Sequence, residues 1–245
     1  MISIALLAVA SMYSSVGHGG ASGYLAILSL TSFALMEDDW LKQHAWSLNL
    51  IVAGLAFYQF RKEGHHIPSL SAPFILGGFP MAFIGGFLEV NEGVYDSLLS
   101  VVLILAGLRL IFPMDAGGPG SFRWGFLGCV AVGALIGLVS GVVGIGGGVL
   151  LSPLLIILHV GRPKQVAATS ALFIWINSAG GMIGSTVSEG ILLDSSTLLP
   201  FSLAVLVGGL LGSRYGSSIA SERGIRVILS AVLLIAASKR ILLVF

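Results

Sequence analysis

"GVVGIGGGVLLSP", residues 141–153, decides how this chain is read. Five of its first eight residues are glycine, yet the sequence on either side is continuously apolar. Glycine is the poorest helix former after proline. A second cluster of the same shape, "SSVGHGGASGYLA", covers residues 14–26. An apolar chain that interrupts itself twice in the same manner needs a reason for the interruption.

Composition sets the solvent. The 245 residues are 56% hydrophobic and 9% charged, with a net charge of +1. A soluble domain carries about 25% charged residues, so this chain lacks the polar surface to coat a globule. An integral membrane protein in contact with the lipid bilayer follows. So small a net charge supplies no field for nucleic acid, and no such partner is expected. Cys129 is the one cysteine, which excludes an intrachain disulfide; within its apolar run it reads as a packed residue. "MISIALLAVASMYSS" lacks the basic start of a secretory signal and reads as part of the first membrane segment.

A helix crossing the hydrocarbon core needs about 20 apolar residues. Apolar runs fall at 2–35, 44–60, 67–88, 94–113, 124–160, 166–187, 197–213 and 225–245. As single helices, runs 2–35 and 124–160 would each be roughly 50 Å long, at about 1.5 Å per residue. These two runs hold the glycine clusters. The chain also repeats itself. "VGHGG" (16–20) aligns with "VGIGG" (143–147), and "KQHAWS" (42–47) with "KQVAAT" (164–169). "EG" (63–64) aligns with "EG" (189–190), and "LSVVLILAGLRLI" (99–111) with "LSAVLLIAASKRI" (229–241). These ordered matches divide the chain into a first membrane repeat (1–113), a linker (114–121) and a second membrane repeat (122–245).

Lys and Arg concentrate in cytoplasmic loops. Loops 61–66, 109–123, 160–164 and 214–226 are basic, whereas 89–96 and 188–196 are acidic. Loop 36–43 carries Lys42 against Glu37, Asp38 and Asp39, and is expected outside. With 109–123 and 160–164 both inside, segment 124–160 must enter and return. The expected fold is an all-α integral membrane protein of two inverted repeats. Each repeat is a glycine-broken, re-entrant helical hairpin plus three transmembrane helices, the plan of many secondary transporters. Lys239 and Arg240 would then lie outside, snorkelling at the interface.

Non-helical backbone at membrane depth survives only when it is buried in protein or lines a polar cavity. A helix that starts after such a break presents free N–H groups and a positive dipole end, which together favour an anion. Gly17, Gly19 and Gly20, and Gly144, Gly146, Gly147 and Gly148, are therefore candidate substrate contacts; tight helix packing is the competing reading. Pro153 bends the second arm further. Gly77, Gly78, Gly85, Gly86, Gly208, Gly209 and Gly212 read as packing glycines. Polar groups within the spans add Ser22, Ser47, Asn49, Thr169, Ser170, Asn177 and Ser178 as candidate donors, with bonds to neighbouring helix backbone as the alternative. Trp46 and Trp175 are read as lipid-facing or core residues, with an interfacial or cavity-lining role as the alternative. His18 is the one ionisable side chain expected at mid-depth; anion contact or coupling to protons through it is one reading, and hydrogen bonding to carbonyls freed by the break is the other. No Asp or Glu lies deep in an expected span, which argues against a carboxylate cation site. No metal-ligand cluster or nucleophile–base pair appears, and "GIGGG" follows no expected strand. Neither a cofactor nor an enzymatic activity is expected.

The paired GxGG clusters, "GIGGGVLLSPLL" (144–155) and "QVAATSALF" (165–173) resemble the sulfite exporter TauE/SafE family, also called the toluene sulfonate uptake permease family. The resemblance spans the chain and is best from Gly137 to Ser178. The first half departs from the pattern: "GHGGASGYLAIL" replaces the usual glycine run, and Ala26 stands where the family carries proline. The resemblance implies a plasma-membrane permease for small sulfur anions such as sulfite or organosulfonates like sulfoacetate. An anion channel of the same fold, or a transporter of another small organic anion, is the alternative.

Overall fold

The computed structural model of the chain describes residues 1–88, 125–157, 160–221, 223–225 and 227–228. The expected span 94–113, loops 89–96 and 109–123, linker 114–121, Lys239, Arg240 and the expected last span beyond residue 228 lie outside the described residues.

Every regular element among the described residues is helical. α1 (Ile2–Ser14) and α2 (Ala21–Leu28) flank the first glycine cluster, and a 3-10 turn at Ser32–Leu35 follows. Next come α3 (Asp38–Lys62), α4 (Pro68–Phe87) and α5 (Phe126–Val143). The second cluster separates α5 from α6 (Gly148–Ile157), after which α7 (Pro163–Glu189) and α8 (Ser195–Arg214) complete the described helices. A π-turn at Tyr215–Ile219 closes α8. Both overlong apolar runs are thus pairs of shorter helices. Four helices are long and apolar enough to cross a membrane: Pro68–Phe87, Phe126–Val143, Pro163–Glu189 and Ser195–Ile219.

Local chemistry sets the helix ends. Pro163 occupies the first turn of α7, where its missing N–H costs nothing, and Gln165 Oε1 accepts the Arg162 N–H at 2.9 Å. Asp194 caps α8 by accepting from the N–H groups of Ser196 and Thr197. α3 corrects an expectation: it starts at Asp38, well before the apolar run at 44. Asp38 and Asp39 lie in its first turn and Arg61 and Lys62 in its last, each sign matching the adjacent end of the helix dipole. Most of the expected loop 36–43 is therefore helix, and Lys42 is buried.

Glycines hold the bundle together. Gly133, Gly137 and Gly141 of α5 lie against the backbone of Phe74, Gly78 and Ala82 on α4, so closely that an added Cβ would strike a carbonyl. Gly208, Gly212 and Gly216 repeat the device against the carbonyls of Leu7, Ser11 and Ser15. Lipid tails are as apolar as leucine, so close backbone approach, not exclusion from water, drives such contacts. α1 packs chiefly on α8, α5 on α4, and α3 and α7 meet at the centre. Leu76, Leu135, Ile183 and Leu203 face outward, while Asn49, Thr169, Ser170, Asn177 and Ser178 are buried. The polar residues have gone inward because the surroundings are lipid.

Candidate substrate site

The first break runs from Ser15 to Gly20. The N–H groups of Val16 and His18 both donate to the Tyr13 carbonyl, at 3.1 and 2.9 Å, which ends α1. Gly17, at φ +76°, presses on the Ala167 carbonyl of α7. Gly20, at φ +99°, precedes α2, whose first N–H, at Ala21, donates to Asn49 Oδ1 at 3.1 Å. The Tyr24 hydroxyl donates to the Gly19 carbonyl at 2.7 Å. Asn49 and Tyr24 thus hold part of this break, while among the described residues no hydrogen bond closes on the N–H groups of Gly19, Gly20 or Ser22. His18 is buried, with Nδ1 3.2 Å from the Val16 carbonyl. Its edge lies beside the Gly148 backbone, but no hydrogen bond closes on Nε2.

The second break is emptier. Gly144 ends α5 at φ +82°, with its N–H donating to the Ser140 carbonyl at 2.9 Å. Gly146 and Gly147 follow at φ +72° and +81°. L side chains pay about 1–2 kcal/mol per residue in this region, which explains the glycines. Among the described residues no hydrogen bond closes on the N–H groups of Gly146, Gly147, Gly148 or Val149. All four residues are buried at the start of α6, where unpaired donors and the positive dipole end coincide. Asn49 and Ser178 stand beside Gly146, Phe173 and Ser140 beside Gly147, and Ile174 and His18 beside Gly148.

Asn49 joins the two breaks. Its Oδ1 holds the start of α2, and its Nδ2 donates to Ser178 Oγ at 2.8 Å, next to Gly146. Along α3 and α7 and at the first break, His18 Nε2, Trp46 Nε1, Thr169 Oγ1 and both amide atoms of Asn177 are buried without a hydrogen-bond partner among the described residues, with Thr169 and Asn177 about 12 Å apart along α7. Trp46 lies one turn before Asn49 on α3 and packs on Gly181, one turn after Asn177 on α7. Native interiors leave few such groups, and each costs about 1–3 kcal/mol when unpaired. Their concentration on the facing sides of α3 and α7 and at the first break describes a polar site with donors to spare.

The expected residues separate into two groups. His18, Gly19, Asn49, Gly146, Gly147, Gly148 and Asn177 converge on this centre, and Thr169 brings an unpartnered hydroxyl. The others find partners nearby. Ser22 donates to the Tyr13 hydroxyl at 3.3 Å, Ser47 to the Gln43 carbonyl at 2.8 Å and Ser152 to Ser170 at 2.7 Å. Gly17 packs on Ala167, Gly20 on Tyr24 and Gly144 on Lys42. Ser178, expected as a donor, stands beside Gly146, and Lys42 joins the centre without having been a candidate. The two tryptophans diverge: Trp46 is fully buried, while Trp175 is 41% exposed beside Gly54.

Four spanning helices around a buried polar centre define a multi-pass membrane protein. The chain belongs to the sulfite exporter TauE/SafE family, whose profile matches residues 2–240. It is 33% identical over 249 residues to "Probable membrane transporter protein y4hK" of Sinorhizobium fredii, covering 97% of this chain and 96% of that protein. It is 25% identical over 234 residues to "Probable membrane transporter protein YunE" of Bacillus subtilis, covering 84% of this chain and 82% of that one. No solved structure matches.

Proposed function

We propose that the chain is a secondary transporter that carries small sulfur anions, sulfite or organosulfonates, across the plasma membrane through a site beside the second glycine break. The observation that carries this reading is the run of N–H groups of Gly146 to Val149, buried and without partners among the described residues, beside Asn49 and Ser178. A sulfonate or sulfite spreads negative charge over three oxygens, each able to accept several hydrogen bonds. Donors aimed into a dry site bind such a group strongly, because charge-assisted bonds are about twice as strong as neutral ones. Family membership and the two relatives named as probable transporters point the same way.

The transport plan in this reading is a pair of inverted repeats with re-entrant hairpins. The exchanged packing supports it: the first helix of each half lies on the helix before the expected last span of the other, α1 on α8 and α5 on α4. Such a pair rocks about a fixed central site to give alternating access. In a Cys129→Ala background, Ala116→Cys and Gly161→Cys should label with an impermeant maleimide from the same side. Labelling from opposite sides would remove the hairpin.

Substrate identity is tested by counterflow of labelled sulfite, sulfoacetate and taurine in proteoliposomes. Saturable counterflow of at least one sulfur anion is expected. Flux that rises without saturation would instead describe a channel.

A further inference from the structure

Among the described residues, Lys42 is the one Lys, Arg, Asp or Glu side chain that is buried. Its side chain is 7% exposed, within the first two turns of α3. The stem lies along the second break: a Cβ added to Gly144 would sit 2.9 Å from Lys42 Cγ. Gly144 starts the turn that leads to the unbonded N–H groups of Gly146 to Val149. A buried cation therefore stands at the entrance to the donor set.

Its counter-ion is held loosely. Lys42 Nζ lies 3.4 Å from Asp39 Oδ1, longer than the roughly 2.7–2.9 Å of a strong charge-assisted bond. The same Oδ1 also accepts from Ser185 Oγ at 3.3 Å, and Ser185 in turn accepts from Gln43 Nε2 at 3.1 Å. Gln43 fastens this corner to the segment after α7, donating to the Gly190 carbonyl at 2.8 Å and accepting from the Leu192 N–H at 2.9 Å. Asp39 is thus fixed by α7, whereas Lys42 ends a flexible four-carbon stem. A cation in this setting cannot lose one partner without gaining another, since an uncompensated buried charge is strongly destabilising.

We propose that Lys42 is the charge that recruits the anion. It rests on Asp39 when the second break is empty and turns to the anion when the break is loaded. The inference rests on the reading of that break as an anion site and adds to it a cation with a switchable partner. The exchange conserves charge pairing: one carboxylate is replaced by one substrate anion. Selection for anions then comes from Lys42, and selection for shape from the backbone N–H groups.

The test is the concentration dependence of labelled sulfite uptake in proteoliposomes for four variants. Lys42→Met should raise KM about tenfold, the scale of one lost charge-assisted contact. Asp39→Asn should lower KM by about threefold, because the resting competitor is weakened. Lys42→Arg should keep uptake. The neutral pair Lys42→Met with Asp39→Asn removes both charges and should show the same raised KM as Lys42→Met, which covers misfolding of the single variant. An unchanged KM in the folded double variant, or a rise in KM for Asp39→Asn, would overturn the proposal. If the unaltered protein takes up no sulfur anion, the substrate reading falls by itself. Protection against heat by sulfate, phosphate, chloride and acetate in detergent is then compared between the unaltered protein and Lys42→Met. Protection that Lys42→Met loses upholds the role of Lys42; equal protection in both, or none in either, overturns it.

Discussion

The two glycine breaks start alike in sequence and end differently in structure. At the first, the protein supplies its own partners: Asn49 takes the leading N–H of α2, and Tyr24 takes the Gly19 carbonyl. At the second, among the described residues, four successive N–H groups remain without partners beside three glycines of positive φ. At the first, those of Gly19, Gly20 and Ser22 are also unbonded, so the same backbone device is partly closed on one side of the molecule and open on the other. Asn49 reaches both breaks, since one amide takes the leading N–H of α2 at the first and stands beside Gly146 at the second.

The largest expected effect separates the breaks by chemistry. Gly146→Leu should abolish uptake in a folded protein, since its side chain would point at Asn49 Nδ2 and Ser178 Oγ from a positive-φ position. Gly209→Ala meets only flexible atoms of Leu55 and Val52, at 3.3 and 3.4 Å, and should keep uptake near that of the unaltered protein. Equal losses in both would mean that the second break serves packing.

Asn49→Ala comes next. It removes two buried hydrogen bonds, each costing about 1–3 kcal/mol when a partner is left behind, so Tm should fall clearly. The affected bonds lie at Ala21 and Ser178. Hydrogen exchange should rise in α2 more than in α6, because α2 loses its cap. Faster exchange in α6 alone would reverse the comparison.

The smallest effect is expected at His18, the side chain of the first break that reaches the second. His18→Gln keeps a donor and removes titration. Uptake at its optimum should persist while its pH dependence flattens. A pH profile identical to that of the unaltered protein would take His18 out of the transport cycle.

Much of this was legible in the sequence, because glycine acts through backbone chemistry that needs no partner to be recognised. The clusters at 14–26 and 141–153 locate both interruptions to within a few residues of the observed helix ends at Ser14 and Val143. The expected spans at 67–88, 166–187 and 197–213 match helices long and apolar enough to cross a membrane for the same reason, since oil is read residue by residue. Lys42 was misplaced because hydropathy ends a helix where the oil ends. Asp38 and Asp39 extend α3 past that point through the helix dipole, carrying Lys42 inside. Ser47 and Ser170 matched the expected pattern but bonded locally, as hydroxyls in helices often do when a carbonyl or another hydroxyl is near. Trp46 and Ser178 depend on which face of α3 meets which face of α7, and no single-sequence signal carries that.

The central claim is that the unpartnered polar groups wait for an anion. Thr169→Val tests it most directly, because valine keeps the shape and removes a buried hydroxyl that has no partner. Two quantities are measured on one protein: Tm without substrate, and KM for sulfite uptake in proteoliposomes. Removing an unpaired hydroxyl that serves only the ligand should leave Tm equal or higher, by up to about 1 kcal/mol of stability, while KM rises several-fold, roughly 3- to 10-fold. A lower Tm with unchanged KM would mean that Thr169 holds the fold and not the anion.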